Sequence, residues 1–389
     1  MTRGRHIFLI LSLLLVVPLA ATVLLGQDRR DDGEDSLYRF LSVFTEVLSL
    51  VRQAYVDEVP AEDLMAAALD GAPGALDPFS TYVPPEAVGT WEEVQRIGPG
   101  RSGLVLARQD GTLFVLSVLA GSPAAGAGME PGDLISKIDD RSTRHLPLWR
   151  AMELFAHEPG TRVRLELFRR GERETAELEL ATFSPPAVTM TETSGLPLLT
   201  IPRLGPDSVA AVRDALNELR DRNARGLLTD LRGVGGSDPA TAYEIAALFA
   251  DGELGRMLSP RGVAETYTGA PPLWQGELVV LVNHATSGGA EILASVLRQR
   301  AGAELVGRRT FGHAGRRGEV EISNGGRLVL TTALYTGPDA EPLNEGLAPD
   351  DEVDGSDRTF ADKDISLDDL ILRRGLELLQ ERLEARQAA

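Results

Sequence analysis

The segment VLVNHATSGGAEILA (Val280–Ala294) joins an apolar run, a turn that contains two glycines, and a second apolar run. The first run, extended to Glu277–Asn283, predicts a buried strand, and Glu291–Arg300 predicts a helix. Strand and helix patterns of the same kind alternate on both sides, from Leu198 to about Val353. This alternation predicts an α/β core with a largely parallel sheet.

A second pattern precedes the core. From Gly98 to Leu180 the chain changes to short strands and turns, and GSPAAGAGMEPGDLISKID (Gly121–Asp139) holds a short helix and a Gly-Asp turn. The segment resembles a PDZ domain, which binds a peptide as an added strand and holds its terminal carboxylate in a nest of backbone N–H groups. The resemblance places that peptide-binding nest at Arg101, Ser102, Gly103 and Leu104.

The amino-terminal part has two patterns of its own. Arg3 and Arg5 precede an uncharged, mostly apolar run, Ile7–Leu25, which is close to the about 20 residues that a membrane-spanning helix needs. It is a signal-anchor or a cleaved signal peptide, and the absence of a clean cleavage site favours the anchor. The charge before it directs the rest of the chain across the membrane, to a bacterial periplasm or another extracytoplasmic place. Helical spacing then follows the charged linker at 27–35, and LDPFSTYVPPEAV (Leu76–Val88) predicts an ordered loop.

Composition narrows the possible functions. The chain has 389 residues and a net charge of −19, which argues against nucleic-acid binding because phosphate recognition needs clustered positive charge. It has no cysteine, so thiolate nucleophiles and thiolate metal sites are excluded. Lys137 and Lys363 are the only lysines. No histidine spacing indicates a metal site, and we expect no cofactor.

The predicted organisation has five parts. They are a signal-anchor or signal peptide at 1–26, an N-terminal helical region at 27–97, a PDZ-like domain at 98–182, an α/β core at 183–355 and a C-terminal helix at 356–389.

The order of these parts resembles the C-terminal processing, or tail-specific, serine peptidases. Local strings that carry the resemblance include LDPFSTY, DLRGVGG (Asp230–Gly236), the opening segment and VGRRTFGHAG (Val306–Gly315). The resemblance implies a ClpP/crotonase-like α/β core with an inserted PDZ domain, and a catalytic Ser–Lys dyad. In such a dyad a buried, neutral lysine takes the proton of the serine.

The dyad residues are missing from their expected positions. With Glu291 as the anchor of the frame Thr286–Glu291, the nucleophile position falls on Gly288. The base position, directly after Thr310-Phe311-Gly312, is His313, and Arg317 stands where the family often has a glutamine. The resemblance places the oxyanion loop at Gly235, Gly236 and Gly289.

Three functions remain open. The sequence favours a catalytically inactive homologue that binds polypeptide tails or a periplasmic protein partner. An active serine endopeptidase could instead use the pair Ser287 and His313, although adjacent side chains at a strand-to-helix turn point in different directions. The third is an envelope docking or scaffold protein that acts through its PDZ domain.

Overall fold

The computed structural model describes residues 34–144, 146–184, 188–236, 238–354 and 366–388. The chain divides into two compact units, Met1–Leu69 and Asp70–Ala389. The predicted membrane segment at 7–25 lies outside the described residues. None of the helices within them is both long and apolar enough to cross a bilayer.

The first unit contains α1 (Glu34–Ala54) and most of α2 (Ala61–Gly74). The helical spacing of this region is confirmed, and α2 holds Pro73 in its last turn. Leu76 N donates to Pro73 O at 2.9 Å just after the helix ends.

The second unit holds the other helices and all the described strands. Its helices are α3 (Val88–Ile97), α4 (Pro123–Gly126), α5 (Leu148–Leu154), α6 (Pro206–Asp221), α7 (Pro239–Ala246), α8 (Gly289–Arg300) and α9 (Leu367–Ala388), with a 3₁₀ turn at Pro85–Ala87. Its strands are β1 (Thr81–Val83), β2 (Leu104–Gln109), β3 (Thr112–Val118), β4 (Leu134–Ile138), β5 (Arg141–Ser142), β6 (Arg162–Arg169), β7 (Glu172–Glu179), β8 (Thr189–Thr193), β9 (Leu196–Thr200), β10 (Gly226–Asp230), β11 (Gly252–Ser259), β12 (Gly262–Gly269), β13 (Glu277–Val282), β14 (Glu304–Gly307), β15 (Gly315–Glu321), β16 (Arg327–Tyr335) and β17 (Asp351–Glu352).

The PDZ-like part is an antiparallel sheet in the order β2-β3-β4-β6-β7, with β5 on β4. β2 is an edge strand of this sheet, and α5 packs beside it. The short helix α4 begins where Ser122 Oγ accepts from Ala125 N at 3.2 Å and Pro123 takes the first turn. The β-rich domain predicted before the core is therefore confirmed.

The core sheet has the order β17-β14-β13-β10-β9-β8, and only β8 runs antiparallel to its neighbour. Its central strand β13 is buried on both faces, from Leu278 at 1% exposure to Val282 at 0%. A continuous apolar strand is what a covered parallel sheet requires. Helix α8 lies on one face, and α9 covers the other with Ile371 and Leu379. The predicted α/β core is confirmed.

A second core sheet carries one wall of the site described below. Its order is β1-β16-β11-β12, with β15 also paired to β16, and every pair is antiparallel. The turn at Asn324-Gly325 joins β15 and β16. Strand β1 arises from the segment Leu76–Val88, and Thr81 pairs with Val329 of β16. This pairing carries a segment that precedes the PDZ-like sheet onto the core.

Candidate functional site

The turn between β13 and α8 has the shape of a nucleophile elbow. Gly288, the last residue before the helix, has φ 61° and ψ −119°. Such a backbone is strained for residues with a Cβ and easy for glycine. Thr286 fixes the turn, because its hydroxyl donates to Leu231 O at 2.8 Å and accepts from Asn283 N at 3.0 Å. The position therefore has the geometry that presents a nucleophile, but no side chain.

A buried carboxylate connects this elbow to the segment of His313. Glu291 is fully buried and accepts hydrogen bonds from Gly288 N at 2.8 Å, from Gly312 N at 2.7 Å and from the Thr310 hydroxyl. Burial raises the pKa of Glu291 to about 7, against the lowering effect of these donors. The frame anchor of the sequence motif is thus the residue that holds the two dyad positions together.

His313 lies in an aromatic setting. Its ring centroid is 5.5 Å from that of Phe311 and 6.3 Å from that of Phe79. Its backbone has φ 66°, an uncommon value for a residue other than glycine. Burial lowers the pKa of His313, and the charge of Asp77 offsets this only in part, so the imidazole is neutral at pH 7.

Ser287 faces the glycine-rich loop. It is 3% exposed, and its N–H donates to Val234 O at 3.0 Å. Its Oγ lies 3.3 Å from the point that a Cβ on Gly235 would occupy. Within the described part of the chain, no hydrogen bond joins Ser287 to His313.

The glycine-rich loop is held from both domains. Gly233 N donates to Asn283 Oδ1 at 3.0 Å, and Gly233 O accepts from the Ser117 hydroxyl of the PDZ-like domain. A Cβ on Gly235 would lie 2.8 Å from Ser117 Cβ, so this contact requires glycine. The N–H groups of Gly235 and Gly236 donate to no other described group, and Gly289 is the first residue of α8. Gly235 and Gly236 line the same cavity as Gly288, and their role as oxyanion residues stays a prediction.

A cavity of about 940 Å³ opens between the PDZ-like domain and the core. On the core side it is lined by Gly235, Gly236, Ser287, Gly288 and His313. On the PDZ side it is lined by Ser102, Leu104, Leu106, Leu148 and Met152. One continuous space thus joins the edge of β2 to both dyad positions.

The predicted carboxylate nest lies at the rim of this cavity, and part of it is already engaged. Gly103 N donates to Pro99 O at 2.7 Å, and Leu104 N donates to Ser102 Oγ at 3.1 Å. The guanidinium of Arg101 donates to Thr182 Oγ1 at 2.6 Å. A carboxylate at this nest would therefore compete with bonds inside the chain.

None of the described residues that line the cavity is a lysine that could act as a base. Lys137 does not line it; its Nζ pairs with Glu166 at 3.1 Å, and its side chain is 45% exposed. Lys363 lies outside the described residues. Among the residues that are described, no group of acidic and histidine side chains has the arrangement of a metal site.

The segment Leu76–Val88, predicted only as an ordered loop, lies at the site. Asp77 Oδ1 accepts from the N–H groups of Phe79 and Ser80, both at 2.8 Å, and this turn directs the Phe79 ring to His313. The guanidinium of Arg317 lies 5.2 Å from the centroid of the same ring. An Asp followed by Ser three residues later is a turn signal, but it does not say what the turn faces.

Comparison with known proteins bears on this arrangement. Residues 195–353 match the model of peptidase family S41, and residues 100–180 match the model of the PDZ domain. The carboxy-terminal processing protease CtpA of Bacillus subtilis is 26% identical over 369 residues, which cover 90% of this chain and 77% of that protein. The carboxyl-terminal-processing protease of Synechocystis sp. is 28% identical over 333 residues, 80% of this chain and 77% of its own.

A solved structure shares the fold. The photosystem II D1 C-terminal processing protease superposes with a TM-score of 0.67, at 24% identity, over 80% of this chain and 92% of that chain.

Proposed function

Because the chain belongs to peptidase family S41, among the C-terminal processing proteases, and carries a PDZ domain, we propose that it binds the carboxyl-terminal tails of polypeptides without cleaving them. The curated relatives are named as proteases, so the absence of cleavage is a property proposed for this chain alone.

The observation that supports the proposal is Gly288 at the elbow. A serine peptidase needs a hydroxyl at the point where the strand-to-helix turn presents it to the substrate carbonyl. The backbone at Gly288 has φ 61° and ψ −119°, and the side chain that would attack is absent. An acyl-enzyme therefore has no atom on which to form at this position.

The base position gives independent support. His313 is neutral at pH 7, but no described hydroxyl is hydrogen-bonded to it. The one serine beside the elbow, Ser287, is turned toward Gly235 and is almost completely buried. Proton transfer from that hydroxyl would need a rearrangement of the loop.

Peptide binding, in contrast, requires neither a nucleophile nor a base. An apolar groove beside the edge strand β2, formed by Leu104, Leu106 and Met152, opens into the cavity. PDZ domains bind extended peptides at such an edge through main-chain hydrogen bonds. The binding partner is therefore a polypeptide tail or a protein that presents one, on the extracytoplasmic side if the segment 7–25 directs translocation.

Cleavage and binding can be measured on the same protein. The purified chain is incubated with fluorescein-labelled unfolded casein for cleavage, and with a fluorophosphonate probe for a reactive serine. We expect neither cleavage nor labelling, together with a saturable change in anisotropy of a labelled tail peptide. Cleavage that is lost in Ser287→Ala would overturn the proposal.

The same probe tests the second candidate, an active peptidase that uses Ser287 and His313. It is favoured by one observation: both side chains line the same cavity. Fluorophosphonate labelling of Ser287 that requires His313 would establish that candidate. A chain that binds a folded partner but no free tail would instead establish the docking or scaffold function.

A further inference from the structure

Two buried polar atoms at the cavity have no hydrogen-bond partner among the described residues. They are Nε1 of Trp149, a residue that is 2% exposed, and Oγ1 of Thr81, a residue that is 3% exposed. A buried donor without a partner costs stability, so native proteins rarely keep one without a reason. Both residues line the cavity between the two domains.

The two residues lie near each other at one end of this cavity. Trp149 is on α5 of the PDZ domain, where it packs against Val83 and Val329 of the core. Thr81 pairs with Val329 and is two residues from Val83, so it lies on the same face of β1. The neighbouring indole of Trp91 is satisfied, because its Nε1 donates to Glu319 Oε1 at 3.1 Å. At this end of the cavity, Trp149 and Thr81 therefore lack a hydrogen-bond partner among the described residues, whereas Trp91 has one.

Strand β16 connects this end of the cavity to the dyad positions. Val329, Thr331 and Tyr335, on one face of the strand, all line the cavity. Val329 and Tyr335 are six residues apart, so this part of β16 spans roughly 20 Å. About six residues of an extended peptide would cover that distance. Phe79 lies between the two ends, since its ring contacts His313 and its chain continues into β1. A tail that followed β16 from this end of the cavity to the elbow would pass Trp149 and Thr81.

The chemistry of the two atoms specifies what they would bind. An indole N–H can only donate, and a threonine hydroxyl can donate or accept. An extended main chain offers carbonyl and N–H groups at regular intervals, independent of its side chains. The guanidinium of Arg150 lies 4.3 Å from the centroid of the Trp149 ring and holds that ring in place.

We infer that Trp149 Nε1 and Thr81 Oγ1 form a hydrogen-bonding subsite for the main chain of a polypeptide that runs from the PDZ groove toward the elbow. This inference rests on the proposed tail-binding function and adds to it the residues that hold the tail between the two domains.

The test removes each polar atom and keeps the shape of the side chain. The full chain carries Trp149→Phe or Thr81→Val, and fluorescence anisotropy measures the Kd of a fluorescein-labelled ten-residue peptide that ends in Leu-Ala-Val with a free carboxylate. The loss of one hydrogen bond should raise Kd roughly 3- to 10-fold in each variant.

The chain supplies matched controls. Trp274 Nε1 and Thr229 Oγ1 are also buried without a partner among the described residues, but neither residue lines the cavity. Trp274→Phe and Thr229→Val should leave Kd unchanged. Circular dichroism checks folding, and if Trp149→Phe does not fold, Thr81→Val decides the test.

The outcomes separate the two proposals. Wild-type affinity in both Trp149→Phe and Thr81→Val would overturn the subsite and leave tail binding intact. A wild-type chain that binds no tail peptide would overturn the proposed function and the subsite with it. A Kd raised in the cavity variants and unchanged in the controls supports both.

Discussion

Gly288 has the backbone of a nucleophile elbow without the side chain of a nucleophile. The turn, the helix that follows it and the bond from Gly288 N to Glu291 are all in place. A serine at these angles would carry about 1–3 kcal/mol of strain, which glycine avoids. Glycine at this position is therefore the less strained choice, as expected if stability and activity oppose each other at such sites.

Introducing the family's side chains at positions 288, 313 and 317 should give peptidase activity. In the variant Gly288→Ser, His313→Lys, Arg317→Gln, we expect slow cleavage of unfolded casein, because the backbone of the elbow is already present and the glycine-rich loop lines the same cavity. We also expect strain at residue 288 to lower the free energy of unfolding by about 1–3 kcal/mol. Fluorogenic casein and urea unfolding measure the two effects.

The control for this variant carries alanine at residue 288 with the same two other changes. It has the same strain but no hydroxyl, so it should cleave nothing. If the folded serine variant is equally inert, the cavity has lost more than the dyad, and the elbow geometry is not sufficient.

Glu291 should make stability depend on pH. Its pKa is about 7 in the folded chain against 4.5 for the free side chain, so the folded state holds the proton more tightly. Below pH 4.5 this difference adds on the order of 3 kcal/mol to the free energy of unfolding. The contribution decreases as the pH rises and is lost above about pH 7. Urea unfolding at pH 5 and pH 8 measures this loss.

Other groups also titrate over this range, so Glu291→Gln is the reference. Glutamine stays neutral at every pH, and the stability of the wild type relative to this variant should fall between pH 5 and pH 8. Parallel pH profiles for the two proteins would show that Glu291 does not carry the effect.

At the scale of elements, the Gly-Asp turn of the PDZ domain has a structural cause. Asp133 is 1% exposed and binds Arg169 through two bonds of 2.7 Å, while its Oδ2 also accepts from Glu130 N at 2.9 Å. Arg169 in turn donates to Gly128 O at 2.9 Å. The turn before β4 is therefore fastened to β6, a strand more than 30 residues away in the chain.

Removal of this carboxylate should destabilise the PDZ domain. Asp133→Ala removes both bonds to Arg169, which keeps Glu174 at 3.1 Å, and takes the partner of Glu130 N away, so we expect a loss of about 3 kcal/mol in the free energy of unfolding. Asp140→Ala is the matched control, because Asp140 pairs with Arg164 at 3.0 Å but its side chain is 95% exposed. An exposed pair contributes under about 1 kcal/mol. Equal losses in the two variants would contradict the assignment.

At the scale of the whole molecule, the charge of −19 should govern how tails arrive. A peptide tail with three lysines should associate roughly 10-fold faster at 50 mM than at 500 mM salt, because salt screens its attraction to the acidic chain. A matched tail with three glutamates should show the opposite trend, and a neutral tail none. Stopped-flow anisotropy measures the rates. Faster association of the acidic tail at low salt would mean that the arginines lining the cavity, Arg316 and Arg317, outweigh the net charge.

The sequence alone was sufficient for the order of elements and for the identity of the residues at the dyad positions. The turn after β13, the hairpin at Asn324-Gly325 and the apolar strand all follow from local patterns. The lack of a hydroxyl at the predicted nucleophile position is equally a property of the sequence, since Gly288 has no side chain in any fold. The domain boundaries and the N-terminal anchor stay predictions.

Only the tertiary structure decided which groups meet. Glu291 collects donors from two separate segments, Phe79 reaches His313 from over 200 positions away, and Trp149 meets β1 across a domain boundary. The same holds for which N–H groups are free: the nest at Gly103 and Leu104 is partly engaged, while Gly235 N and Gly236 N donate to none of the described residues. Periodicity reports which face of an element is buried, but not its partner on the other side, because that depends on how sheets and domains pack. The sequence therefore determined which side chains stand at the predicted dyad positions, and packing determined which groups meet around the cavity.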